Sequence, residues 1–278
     1  MRIAFLRFAL PALRRADNSC NRRIRRVASC FASRFAHPYR FARAAAVVLA
    51  VSALPRAADA GLSVVGTRFV YTSDARALAI SARNLGDAPI LVQAWLDDGR
   101  ADADPSVMRV PFVVTPPLTR VEPKQRLAFR VQAVGQELPA DRESRYWINL
   151  LEVPPAAEHD DNTLRIAYRL RMKVLFRPIG LAGTPREAPD RLRWTLAAAQ
   201  SQSSLVATNP SPYYVTLTRV ETRGAALALA GGAIDVAPFG QVEIPLGVPP
   251  GTGPDEIVFD AVGDDGVVRT RRATLAPP

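Results

Sequence analysis

Side chains able to attack, move a proton or hold a metal are scarce in this 278-residue chain. Both cysteines, Cys20 and Cys30, lie in the first 60 residues; after them His159 is the sole histidine, beside Asp160 and Asp161 in a polar stretch. One imidazole without a thiolate makes neither a structural zinc site nor a nucleophile–base pair. No nucleophile elbow, Gly-rich phosphate loop or His/Asp/Ser set can be assembled. The sequence therefore predicts no enzyme, metal or cofactor, and His159 reads as a surface loop residue.

The chemistry on offer is recognition. Leu164, Ile166, Tyr168, Leu170, Met172 and Val174 alternate with Arg165, Ala167, Arg169, Arg171 and Lys173, the period of a strand with one apolar and one cationic face. The run, read as Leu164 to Arg177, exceeds the usual strand of about 5 to 6 residues. Its later apolar members, Leu170, Met172 and Val174, read as core, and the excess length suggests that part of it waits for a partner. On spacing alone Arg68 and Lys173 read as solvated strand charges. Trp147, Ile148, Leu150 and Leu151 place apolar groups on both faces of the preceding strand, as a central strand requires.

The elements that must position these residues are all β. Short aliphatic, aromatic and β-branched runs recur between turn signals, the pattern of a sandwich. Strands are expected at 62–71, 77–84, 90–97, 112–115, 119–122, 126–133, 145–153 and 164–177. After a Gly/Pro-bearing connection at 179–190 they resume at 192–198, 204–208, 213–222, 241–246, 255–261 and 267–275. The predicted organisation is a domain over 61–180, a linker over 181–190 and a second domain over 191–278. Asn209-Pro210-Ser211-Pro212 reads as a rigid turn, and Thr115-Pro116 as a candidate cis bond.

Net charge is +10 and the sequence pI about 10.5, values that would suggest nucleic acid if spread over the fold. They are not: residues 1–60 carry 12 Arg against Asp17 and Asp59, while 61–278 carry 24 basic and 24 acidic side chains. No nucleic-acid partner is expected. The first 60 residues read instead as a targeting segment: Arg-rich to Arg43, apolar from Ala44 to Leu54, and ending in the small-x-small site Ala58-Asp59-Ala60. The apolar run is about half of the ~20 residues a membrane span needs, so stable membrane insertion is not expected. Cleavage after Ala60 leaves an exported chain without cysteine, held together by core and strand pairing alone.

Several segments together resemble the periplasmic chaperones of the chaperone/usher pilus-assembly pathway. They are Gly66-Thr67-Arg68-Phe69-Val70-Tyr71, Ala94-Trp95, Thr115-Pro116-Pro117 with Arg120 and Pro123, and Asp141 to Asn149 with Pro154-Pro155. Lys173 to Pro178, Asn209 to Thr216, and Val236-Ala237-Pro238-Phe239 complete the set. The resemblance implies two immunoglobulin-like β-sandwiches joined at an angle, with a subunit-binding cleft between them.

It also implies a mechanism in which the chaperone lends a strand to an incomplete pilus subunit, with an outer-membrane usher as second partner and the periplasm as location. On this resemblance Leu164, Ile166 and Tyr168 are the donated residues, and Arg68 and Lys173 bind the subunit's C-terminal carboxylate. Glu143, Arg177 and Asp264 are charged residues linking the domains, with Asp265 adjacent to the last. The short connection from Pro154 to Thr163 resembles the branch serving rod-like, adhesive pili. Two alternatives stay open: service to another exported β-rich client, or a structural pilus component.

Overall fold

A computed structural model describes residues 61–135, 138–155, 166–198, 203–222, 224–246 and 256–276; residues 1–60, expected as a targeting segment, and His159 and Leu164 lie outside them. The first half contains β1 (Leu62–Val64), β2 (Arg68–Thr72), β3 (Leu78–Asn84), β4 (Ile90–Asp97), β5 (Phe112–Thr115), β6 (Leu118–Val121), β7 (Arg126–Ala133), β8 (Ser144–Val153) and β9 (Tyr168–Arg177). They form two sheets, ordered β1-β3-β7-β5 and β2-β9-β8-β4-β6. Their facing apolar rows, including Tyr71, Ile80, Phe129, Ile148, Leu150 and Val174, make one core. β8 is central, as its two-sided apolar pattern requires.

The second half contains β10 (Arg193–Ala198), β11 (Ser203–Thr208), β12 (Val215–Thr222), β13 (Ala225–Ala226), β14 (Ile234–Val236), β15 (Gln241–Pro245), β16 (Ile257–Val262) and β17 (Val268–Ala273). One sheet runs β10-β11-β15; the other runs β13-β12-β16-β17, with β14 also on β12. Trp194, Leu205, Leu217, Ile244 and Phe259 fill the space between them. The Asn209–Pro212 turn is built around buried Asn209, whose Nδ2 donates to Tyr213 O at 2.7 Å. Thr115-Pro116 is cis.

Two expected strands are corrected. The run 62–71 is broken at 65–67, where Gly66 takes φ +108° and Val65 is 88% exposed. That backbone region favours glycine, and the chain uses it to change sheets: β1 pairs antiparallel with β3, β2 parallel with β9. The strand expected from Leu164 starts at Tyr168, paired with Glu152. Its ladder ends there because β8 gives way to Pro154-Pro155, which have no N–H to donate.

Candidate functional site

The parallel pairing of β2 with β9 starts at Arg68 opposite Lys173, with Lys173 N donating to Thr67 O at 3.2 Å. Two cations distant in sequence thus become neighbours, aimed at the second sandwich. They are not solvated charges: Arg68 is 8% exposed and the Lys173 side chain 12%. Arg68 Nη1 donates to Val262 O at 2.9 Å, while its buried Nε has no partner among the described residues. Lys173 Nζ donates to Thr216 Oγ1 at 3.0 Å and forms a short ion pair with Asp235. Thr216 and Val262 face each other across β12 and β16, so both cations meet one end of one sheet.

Asp235 is the residue that sequence reading missed. Its carboxylate accepts from Lys173, from Thr216 Oγ1 at 2.5 Å and from Arg145 Nη1 at 2.6 Å. Burial by itself would raise its carboxyl pKa, but Lys173, Thr216 and Arg145 outweigh burial and hold it below the usual range. Burial lowers the Lys173 ammonium pKa despite Asp235, and burial likewise lowers that of the Arg68 guanidinium. Trp147 carries the array from below, with Arg171 4.1 Å, Lys173 5.4 Å and Arg145 5.9 Å from its ring centroid. Arg171 is fixed in turn by a two-pronged contact to buried Asp97, at 2.6 and 3.0 Å. An open cavity adjoins Arg68, lined also by Tyr214, Val262 and Asp264.

Glu143, Arg177 and Asp264 come together as well. Arg177 Nε donates to Glu143 Oε1 at 2.5 Å, and its two terminal nitrogens reach Asp264 at 2.7 and 3.1 Å. Glu143 Oε2 also accepts from Tyr214 N at 2.8 Å, so the set spans both sandwiches. Burial pushes the Glu143 carboxyl pKa up against the pull of Arg177. Asp265 belongs elsewhere, paired with Arg269.

The leading end of β9 differs from the rest of the strand. Met172 and Val174 are buried, but the same row continues into Tyr168 and Ile166, which are 40% and 48% exposed. β8 covers one edge from Tyr168 onward, whereas β2 covers the other only from Lys173. Among the described residues, no strand pairs with Tyr168–Met172 on that second edge. An open ladder edge beside half-exposed apolar side chains is the kind of surface that accepts an added strand.

Residues 61–182 match the family described as "Pili and flagellar-assembly chaperone, PapD N-terminal domain", and 187–273 match "Pili assembly chaperone PapD, C-terminal domain". The chain belongs to the PapD family of pilus-assembly chaperones. Within the family it is similar to the chaperone protein FimB/FhaD of Bordetella pertussis, 37% identical over 81% of this chain and 93% of that one. The crystal structure of the YadV chaperone superposes with a TM-score of 0.64 at 34% identity, over 77% of this chain and all of the other. A chain of the Salmonella enterica SafA pilin–SafB chaperone complex matches with a TM-score of 0.64 at 27% identity, over 77% and 96%. The fold of the family is therefore the fold described above: two immunoglobulin-like sandwiches.

Proposed function

We propose that this protein is a periplasmic chaperone that captures pilus subunits by lending them the leading part of its long strand and then delivers them to an outer-membrane usher. The observation that carries the reading is the uncovered second edge of β9 at Tyr168–Met172, continued by exposed Ile166. Leu164, Ile166 and Tyr168 are the proposed donor row, each apolar side chain contributing about 1.5 to 3 kcal/mol when buried in a subunit groove. SafB, solved in complex with the SafA pilin, supports subunits as the partner class.

Arg68 and Lys173 are the proposed anchor for the subunit's terminal carboxylate, which tolerates loss of water only against charge-assisted donors. Anchoring also sets register, since a slip of one residue would present Arg165 and Arg169 instead. Because Asp235 already holds Lys173, the incoming carboxylate must compete with it. Residues 1–60 act as the export signal, and 61–180 and 191–278 act as the two domains about the 181–190 linker.

The test is co-expression with the subunit encoded nearest to this gene, with Arg68→Ala and Lys173→Ala as variants. Each substitution is expected to abolish co-purification of the subunit while leaving the chaperone folded. Two folded variants that retain the subunit as wild type does would overturn the anchoring role.

A further inference from the structure

Glu152 on β8 is 6% exposed. Its carboxylate accepts from Gly61 N at 3.0 Å and from Leu62 N at 2.8 Å. No ion pair among the described residues includes it. A carboxylate withdrawn from water and met only by neutral donors is costly, and a cation is what would relieve it. Gly61 is itself buried and held from its other side, its carbonyl accepting from Leu85 N at 2.5 Å. A Cβ at this position would lie 2.6 Å from Glu152 Oε1 and 3.3 Å from Asn84 Oδ1, so a larger residue would push the Glu152 carboxylate from its place. The sequence independently ends its small-x-small motif, Ala58-Asp59-Ala60, one residue before.

We infer that cleavage between Ala60 and Gly61 turns the Gly61 amide into an α-ammonium that pairs with buried Glu152, so that removal of the leader completes the first sandwich. The inference rests on the proposed export of the chain. A leader-removing endopeptidase adds water across the Ala60–Gly61 bond: Ala60 departs as a carboxylate, and the Gly61 nitrogen takes up the protons that make it cationic. Before that step Glu152 has, among the described residues, only the two neutral N–H donors of Gly61 and Leu62, and the domain is less stable while the chain still carries its leader.

The test has two parts. N-terminal sequencing of the periplasmic product is expected to read from Gly61. Guanidinium unfolding then compares the chain starting at Gly61 with one retaining Ala60, each with Glu152 and with Glu152→Gln. Retaining Ala60 is expected to lower the folding equilibrium constant at least about tenfold with Glu152 and to have no effect with Glu152→Gln. If Glu152→Gln does not fold, the Nα-acetylated Gly61 chain replaces it and is expected to show the same loss as the Ala60 chain. Equal stability of the Gly61 and Ala60 forms overturns the pairing alone, as does an N-terminus at another residue. A periplasmic chain that keeps its leader overturns the pairing alone, whereas a chain that stays in the cytoplasm with its leader overturns the proposed export along with it.

Discussion

Removing the Arg177 guanidinium should uncouple the two sandwiches. The Glu143 side chain is fully buried and, among the described residues, its only charged donor is Arg177. In Arg177→Ala the carboxylate keeps only the Tyr214 N–H. Breaking a buried pair by deleting one partner costs about 3–5 kcal/mol. The lost contact to Asp264, 36% exposed, adds at most about 1 kcal/mol. For a chain of this size each kcal/mol moves the melting point by roughly 2–4 °C, so the loss should be roughly 6–24 °C. Guanidinium unfolding followed by tryptophan fluorescence is the assay, with Trp194 in the second core and Trp95 and Trp147 in the first half. A single transition in the wild type should separate into two in the variant. Replacing both partners, Glu143→Gln with Arg177→Met, should recover most of the loss, because no buried charge remains. A loss below about 1 kcal/mol in Arg177→Ala, with one transition kept, would refute this reasoning.

Two further perturbations follow. Asp97 is buried, and although burial opposes its ionisation, the hydrogen bonds from Arg171, Asn149 and Gly99 hold its carboxyl pKa below the usual range. A carboxyl lowered in the folded state contributes stability above its unfolded pKa of about 3.9 and loses it as pH falls through the folded value. The guanidinium midpoint should therefore drop on acidification below about pH 4, and Asp97→Asn should flatten that slope while costing about 3 kcal/mol at neutral pH. Asp235→Asn removes the internal competitor for Lys173 and should increase the amount of subunit co-purified; unchanged retention would mean that Asp235 does not compete with it.

Much of this was legible in the sequence because strand periodicity is local. The bounds of β4 and β7 follow from alternation and flanking turns alone, whereas the division of β9 into a core row and an exposed row comes from the resemblance, because the alternation is uniform from Leu164 to Val174. What alternation cannot report is which sheet a strand joins, so 62–71 read as one strand until the positive φ of Gly66 divided it. Nor can it report burial imposed by the second sandwich: Arg68 and Lys173 read as solvated until Thr216, Asp235 and Val262 covered them. Asp235 escaped for a third reason. Its strand, Ile234–Val236, is three residues long, too short for any period; the only signal was the Val236-Ala237-Pro238-Phe239 motif immediately after it.

Strand lending is tested most directly by amide hydrogen exchange across β9, in the free chaperone and in its complex with a co-expressed subunit. The amides of Arg169 and Arg171, on the same edge as the Lys173 N–H that donates to Thr67 O, should exchange fast when free and become protected by at least about a hundredfold when the subunit binds, as ladder hydrogen bonds form on the uncovered edge. The alternate amides at Tyr168, Leu170 and Met172 already face β8. Lys173 to Arg177, already paired with β2, should change little. A bound subunit that leaves exchange at Arg169 and Arg171 unaltered would contradict donation of this strand.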